Sequence, residues 1–254
     1  MQIARYKTTN RLKAYSLAWK YIDLIYPPQC IICGKIGFRC CPECWEKRNL
    51  YSSHICKICG KPTTAGELCA QCKIEKPPLH IIRSLGKYTG VLQTFITALK
   101  YERNIGLAEL ILPDLTRVFN HTPFQTDMVI PVPLSKKRER ERGYNQVAVW
   151  GRLFAMDIHQ DFAPRALQRT YHTLSQVSLS AEKRWENVRG AFSANPEQIR
   201  GRNILLLDDV ITTGATLYEC AQTIYQCGAN SVSALTIARS SIKKTLNKIG
   251  GSYV

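Results

Sequence analysis

The sequence predicts an α/β fold, a doubly wound and mainly parallel sheet flanked by helices, preceded by a small cysteine-rich module. Three observations support this prediction. Nine of the eleven cysteines lie between Cys30 and Cys72, and short apolar runs alternate with amphipathic helical patterns from residue 80 onward. Residues 204–207 form the continuous apolar run of a buried parallel strand. The expected parts are an N-terminal amphipathic helix, a double zinc-ribbon module, the α/β domain and a basic tail, at residues 1–29, 30–76, 80–240 and 241–254.

Charge is the outlying property of the composition. The 254 residues include 35 Lys and Arg against 19 Asp and Glu, a net charge of +16, which favours polyanionic partners.

No apolar run approaches the ~18 residues of a membrane-spanning helix, so no membrane span is expected. Lys20 and Asp23 interrupt the N-terminal helical pattern, which therefore does not read as a signal peptide. We expect this helix to pack against the protein, with a membrane-surface role as the alternative, and we expect a cytoplasmic location.

Eight cysteines form four Cys-x-x-Cys pairs, which are Cys30/Cys33, Cys41/Cys44, Cys56/Cys59 and Cys69/Cys72. Residues 30–35 and 56–61 repeat the pattern Cys-x-x-Cys-Gly-Lys. Because nothing directs the chain to an oxidising compartment, the pairs predict two structural zinc sites with four thiolates each rather than disulfides. Sequential pairing is the simplest arrangement. The short loops between pairs leave an interleaved arrangement open, and Cys40 is a spare that could replace Cys41.

The middle of the chain reads as alternating strands and helices. A strand is predicted at residues 81–88, helices at 91–101 and 106–119, a proline-ended strand at 127–134 and a helix at 147–156. A basic loop at residues 135–146 precedes the last helix. Its Lys136, Lys137 and Arg138 are candidate contacts for pyrophosphate or phosphate, because they carry fixed positive charges. The alternative is a solvated turn in which Glu139 and Glu141 offset the basic residues.

The most informative segment begins with the strand at residues 204–207. Two carboxylates, Asp208 and Asp209, follow the strand, and then come Thr212, Thr213, Gly214, Ala215 and Thr216 at the start of an amphipathic helix. Unpaired backbone N–H groups and the helix dipole favour a phosphate at such a position. The acid pair could hold a sugar diol or Mg²⁺ beside it. A phosphorylated ribose is therefore the expected ligand, and ordinary turn chemistry with an N-cap is the alternative.

Residues 204–217 resemble the signature of the type I phosphoribosyltransferases, which bind phosphoribosyl pyrophosphate (PRPP). The resemblance implies a sheet of the type I phosphoribosyltransferase kind and PRPP bound with Mg²⁺. It also implies that Asp208 and Asp209 are the catalytic acid pair that holds the ribose hydroxyls, and that residues 212–216 bind the 5′-phosphate. Residues 129–133, Val-Ile-Pro-Val-Pro, are similar to a run in the amidophosphoribosyltransferases, in which the following loop binds pyrophosphate.

The order of all these motifs indicates a narrower group than the type I phosphoribosyltransferases as a whole. It resembles the order found in the ComF family, which is linked to natural competence, the uptake of external DNA by bacteria. The cysteine module is followed by Leu99-Lys-Tyr101, by the Ile-Pro-Val-Pro run, by Arg142-Gly-Tyr-Asn-Gln146 and by a run that includes Arg169, Gln176 and Arg184. The resemblance implies a protein that binds PRPP and handles incoming single-stranded DNA, with other DNA-uptake proteins as partners. The alternative is an active phosphoribosyltransferase of nucleotide metabolism or salvage.

The basic loop also offers a surface for single-stranded DNA. Its cations lie close together in the sequence, and an aromatic residue follows them as a stacking platform. Cationic grooves with aromatic platforms hold single strands without reading sequence. The candidate DNA or pyrophosphate contacts are Lys136, Lys137, Arg138, Arg142 and Tyr144.

Overall fold

The structure is a computed structural model. It describes Leu17, Trp19 and residues 21–51, 54–64, 67–102, 104–170 and 188–240. The predicted basic tail, the beginning of the N-terminal helix and the segment that contains Gln176 and Arg184 lie outside the described residues.

The centre of the α/β domain is a parallel sheet. Five of the described strands form it, which are β1 (Ile82–Lys87), β2 (Met128–Pro131), β3 (Asp161–Phe162), β6 (Asn203–Ile211) and β7 (Ser231–Arg239). Their order across the sheet is β1-β7-β6-β2-β3. β6 pairs with β2 on one side and β7 on the other, and its first apolar residues are fully buried. The predicted parallel strand is therefore confirmed at the middle of the sheet.

Helices cover both faces of this sheet. Leu205 and Leu207 of β6 belong to the core formed with α3 (Gly90–Tyr101), a 3₁₀ helix (Ile105–Glu109), α4 (Leu112–Asn120) and α6 (Gln146–Asp157). Ile204 and Leu206 point to the other face, towards α7 (Pro196–Ile199) and α8 (Ala215–Gln226). Because alternate residues of a strand face opposite sides, one apolar run supplies both cores. The doubly wound fold predicted from the sequence is confirmed.

Two of the predicted elements differ from the structure. The predicted helix at 106–119 is divided between the 3₁₀ helix and α4, where Pro113 lies in the first turn of α4. The predicted basic loop is largely a helix, α5 (Lys136–Arg142), because Ser135 accepts a hydrogen bond from the Arg138 backbone N–H at 3.3 Å. Gly143, with φ of 81°, ends it in the left-handed conformation that favours glycine.

The zinc module contains two short helices, α1 (Pro42–Trp45) and α2 (Ala70–Ile74). Its connecting segment runs antiparallel to β1, on the edge of that strand opposite β7. The Tyr51 N–H donates to the Leu85 carbonyl at 2.9 Å, and the Lys87 N–H donates to the Asn49 carbonyl at 2.8 Å. A side chain at Gly86 would place its Cβ 2.1 Å from the Asn49 carbonyl oxygen. The absence of a side chain there lets the zinc module cover the sheet edge.

The helical segment before the zinc module packs only partly against the protein. Arg39 of the first ribbon lies over the Trp19 ring at 4.4 Å and pairs with Asp23, as the expected packing requires. Leu24, Ile25 and Tyr26 are largely exposed. Within the described part of the chain, no helix combines the length and apolar character needed to cross a membrane.

A small antiparallel pair of strands completes the domain. β4 (Leu167–Arg169) pairs with β5 (Phe192–Ala194), and Arg169 stands opposite Phe192. Leu167 and Phe192 pack into the same core as α8. This pair therefore brings Arg169 to the side of the sheet on which α8 lies.

Candidate functional site

The eight paired cysteines form two separate clusters. One contains Cys30, Cys33, Cys41 and Cys44, and the other contains Cys56, Cys59, Cys69 and Cys72; in each, the sulfur atoms lie within 4.8 Å of one another. Measured S···S separations are 3.7 and 3.8 Å in the first cluster and 3.6 Å in the second. Tetrahedral zinc with Zn–S bonds of about 2.3 Å requires sulfurs about 3.8 Å apart. Each cluster therefore fits one zinc ion, and the sequential pairing is confirmed.

Backbone donors favour the thiolate form of one cysteine in each cluster. The Cys41 N–H donates to Cys30 Sγ at 3.3 Å, and the Cys69 N–H donates to Cys56 Sγ at 3.4 Å. Burial acts to raise the pKa of Cys30 and Cys56. Hydrogen bonds from the backbone together outweigh burial, and the pKa of both thiols is lowered to about 6. Cys40 is buried beside the first cluster and burial raises its pKa to about 12. Four thiolates at each ion leave no open coordination position, so both zinc ions are structural.

Two arginines join the second ribbon to the sheet. Arg83 of β1 donates to the carbonyls of Lys57 and Ile58 at 2.9 and 3.4 Å. Arg239, the last residue of β7, donates to the Cys59 carbonyl. The second cluster also shares its apolar core with α8. The second ribbon is consequently part of the α/β domain's own packing.

A cleft of about 310 Å³ opens at the carboxyl ends of β2 and β6. Asp208 and Asp209 line it, but β6 does not end before them as predicted; the strand continues to Ile211. The Asp209 N–H donates to Asp208 Oδ1 at 2.8 Å. Burial, and then the neighbouring Asp209 charge, raise the pKa of Asp208 to about 7. The two acids therefore face the cleft from within a strand whose backbone hydrogen bonds fix them.

The loop of residues 212–216, here called the threonine loop, lines the same cleft. Gly214 has φ of 90° and turns the chain into α8, so that Ala215 and Thr216 lie in the first helical turn. Thr213 Oγ1 accepts the Ala215 N–H at 3.3 Å, which is turn chemistry. The helix N-terminus nevertheless points its remaining donors and its dipole towards the cleft, as an anion site requires.

The basic helix α5 presents its residues on two sides. Arg138 and Arg142 are four positions apart, and both line the cleft. Lys136, Lys137 and Arg140 are exposed instead. Of the five residues predicted to contact pyrophosphate or DNA, only these two arginines lie among the cleft-lining residues described.

Tyr144 also lies outside the lining, because its hydroxyl donates to the Leu99 carbonyl. Tyr101 supplies an aromatic ring at the cleft instead, with the Arg142 guanidinium over it at 5.1 Å.

Comparisons with known proteins match the cysteine module separately and most of the chain as a whole. Residues 21–73 match the double zinc ribbon domain family. The chain is 31% identical over 191 residues to the DNA utilization protein YhgH of Escherichia coli (strain K12), covering 73% of this chain and 84% of the relative. It is 26% identical over 234 residues to the competence protein ComFC of Bacillus subtilis (strain 168), covering 88% and 90%.

This chain belongs to the ComF family. Among solved structures, adenine phosphoribosyltransferase from Thermoanaerobacter pseudethanolicus is similar with a TM-score of 0.35 and 12% identity, over 55% of this chain and 83% of that chain.

Two ComF motif residues in the cleft were given no role in the sequence analysis. Lys100 Nζ lies 2.8 Å from Asp209 Oδ2, and Gln146 Nε2 donates to the same oxygen at 2.6 Å. Lys100 follows Leu99 in one motif and Gln146 ends another. Membership of these motifs was the only sign in the sequence that the two residues belong to the site. Their meeting at Asp209 depends on how α3 and α6 pack beside β6.

Arg169, a third motif residue to which the sequence assigned no role, lines the same cleft as Arg138. Burial, and then the Arg138 charge, lower its pKa. Four cationic side chains in the described part of the cleft, those of Lys100, Arg138, Arg142 and Arg169, thus face two carboxylates. The excess of positive charge favours a ligand with several negative charges.

Proposed function

We propose that this ComF-family protein acts in the uptake or use of DNA in the cytoplasm, binding PRPP in the cleft and handling incoming single-stranded DNA on its basic surface. Its relatives include a competence protein and a DNA utilization protein, which supports the cellular role and makes other DNA-uptake proteins its expected partners. The observation that carries the PRPP part is that an acid pair, the threonine loop and three arginines line one cleft.

Each part of PRPP has a matching group in this cleft. The 5′-phosphate would bind the N–H groups and hydroxyls of the threonine loop, at the N-terminus of α8. The ribose hydroxyls would donate to Asp208 and Asp209. The pyrophosphate would contact Arg138, Arg142 and Arg169, whose guanidinium groups suit phosphate oxygens. Mg²⁺ would accompany PRPP and would neutralise part of the pyrophosphate charge.

Calorimetric titration with PRPP and Mg²⁺ tests this assignment. Thr213→Ala should weaken binding by about 1–2 kcal/mol, because it removes a hydrogen bond to a charged group. Asp209→Ala should weaken it by removing a ribose contact. Thr223→Ala is the matched control, since Thr223 lies on the same helix but hydrogen-bonds to the Glu219 carbonyl away from the cleft. If both cleft variants bind PRPP with wild-type affinity, the threonine loop is an ordinary turn and the PRPP assignment is wrong.

The two sides of α5 separate the DNA proposal from the PRPP proposal. Charge reversal at the exposed Lys136 and Lys137 should lower affinity for a single-stranded oligonucleotide and flatten its salt dependence, because fewer counterions are released. PRPP affinity should stay unchanged. Reversal at Arg138 should lower PRPP affinity. If reversal at Lys243, Lys244 and Lys248 weakens DNA binding as much as reversal on α5, the binding is generic charge attraction and the α5 assignment is wrong.

Catalytic phosphoribosyl transfer is the second candidate, because both carboxylates and the arginines occupy the same cleft. In that reaction a base or amine would displace pyrophosphate from C1′, and the arginines would stabilise the departing charge. Incubation with PRPP and a panel of bases, with pyrophosphate release as the readout, distinguishes a transferase from a PRPP-binding protein. Binding without release would leave PRPP as a ligand only.

A further inference from the structure

The negative charge of Asp209 is already offset by a positive charge of the protein, that of Lys100. The Lys100 ammonium is 2.8 Å from Asp209 Oδ2, and the side chains of the pair are only 16% and 10% exposed. An ion pair that water barely reaches is screened much less than a surface pair. A divalent cation approaching Asp209 would therefore have to compete with an ammonium group that is attached to the chain.

The packing of α3 holds Lys100 in this place. Lys100 lies in the last turn of the helix, and its neighbour Leu99 is buried. The Leu99 carbonyl accepts the Tyr144 hydroxyl, which ties this turn to the segment that leads into α6. The ammonium is thus presented from a fixed backbone and needs little reordering to contact Asp209.

Gln146 fixes the other side of the carboxylate. Its Oε1 accepts a hydrogen bond from Arg142 at 2.8 Å, so its amide N–H₂ group is turned towards Asp209. Oδ2 of Asp209 consequently has two donors, one charged and one neutral. Together they satisfy the oxygen that a metal ion would otherwise bind.

We propose that Lys100 takes the place of a divalent cation at Asp209, so that the cleft binds ribose phosphates without a metal ion bound to that carboxylate. The ligand class rests on the proposed function. Mg²⁺ that arrives with PRPP then stays on the pyrophosphate. With Lys100 paired to Asp209, the three arginines in the described part of the cleft neutralise the polyanion in the absence of metal.

The first experiment compares the wild-type protein with Lys100→Met, using calorimetry with PRPP in chelator and in Mg²⁺. The chelator should be one too weak to remove the structural zinc. Wild-type affinity should change by less than about threefold between the two conditions. Lys100→Met should lose about tenfold or more in chelator, because the uncompensated Asp209 carboxylate then repels the ligand's phosphates, and should recover when Mg²⁺ replaces the missing positive charge. Lys136→Met, which removes an exposed cation, should behave like the wild type. A strong Mg²⁺ requirement in the wild type, or an equal loss by Lys100→Met in both conditions, would overturn the proposal.

The second experiment needs no PRPP. Electron paramagnetic resonance of Mn²⁺ added to zinc-loaded protein should detect no bound ion in the wild type and one in Lys100→Met, and Asp209→Asn in the Lys100→Met background should abolish it. Equal Mn²⁺ binding by the wild type and Lys100→Met overturns the role of Lys100. If PRPP binds to neither protein, the proposed function fails, and the Mn²⁺ result still decides about Lys100. Lys100→Gln replaces Lys100→Met in both experiments if the methionine variant does not fold.

Discussion

Arg48 holds Asp114 with two parallel hydrogen bonds, from Nε to Oδ2 and from Nη2 to Oδ1, both 2.9 Å long. Arg48 follows the first zinc cluster and Asp114 lies in α4, so this pair joins the zinc module to the α/β domain. The Asp114 side chain is 4% exposed. Arg117 also contacts it, but Arg48 supplies the planar two-point contact that suits a buried carboxylate.

Arg48→Ala should lower the free energy of unfolding by about 3 kcal/mol, because it leaves a buried carboxylate with only part of its compensation. Lys35→Ala is the control, since the Lys35–Glu43 pair is 3.4 Å long and exposed. It should cost less than about 0.5 kcal/mol. Urea unfolding in the presence of zinc measures both, and equal effects would contradict the assignment of Arg48 as a buried anchor.

Metal analysis of protein purified under reducing conditions should find about two zinc ions per chain, one for each four-thiolate cluster. Cys44→Ser should lower the content to about one ion. Cys40→Ser should leave it at about two, because Cys40 lies outside both clusters. A Cys40→Ser protein that has lost an ion would show that the spare thiol is a ligand.

The repeated glycines of the two knuckles provide a matched pair of substitutions. Gly34 and Gly60 both have positive φ, 76° and 68°, but a Cβ at Gly60 would lie 2.5 Å from the Ile82 carbonyl oxygen, whereas one at Gly34 meets nothing within 4 Å. Gly34→Ala should cost about 1 kcal/mol for the left-handed backbone. Gly60→Ala should cost several times more, because β1 must move. Thermal unfolding with zinc present measures the difference, and equal costs would mean that the second knuckle is not docked on β1.

Asp208→Asn should stabilise the unliganded protein at neutral and alkaline pH. Burial and the Asp209 charge raise the pKa of Asp208 from 3.8 to about 7, so between these values the unfolded chain loses a proton that the folded protein keeps. Wild-type stability therefore falls as pH rises through this window, and asparagine removes the effect. The advantage of the variant should be about 4 kcal/mol near pH 8 and should shrink steadily as pH falls from 7 to 4.

Thermal unfolding across this range measures the pH effect, with the exposed Asp161→Asn as control. An advantage of Asp208→Asn that does not change with pH would contradict the titration.

The sequence predicted most of what depends on local pattern. The Cys-x-x-Cys spacings indicated both metal clusters, since four closely spaced thiols have few ways to meet one ion. The apolar run before Asp208 indicated the central strand. The Lys100–Asp209 contact could not be predicted, because it joins residues of two elements whose packing no local pattern specifies. The sequence analysis predicted a loop in place of α5, because the run of charged residues was interpreted as a solvated turn. Ser135 as the N-cap and Gly143 as the C-terminal glycine indicate a helix instead.

The contact between Arg239 and the Cys59 carbonyl spans 180 positions of the chain. Ribosomes deliver the N-terminal part first, so the second ribbon emerges long before the strand that anchors it. The first ribbon meets its Asp114 anchor only 66 positions after Arg48. A chain interrupted before β7 would thus carry a second ribbon that lacks the Arg239 contact. The apolar side of that ribbon would then be open to proteases during synthesis. Anchoring an early metal site with β7 makes synthesis of that strand the condition for its protection.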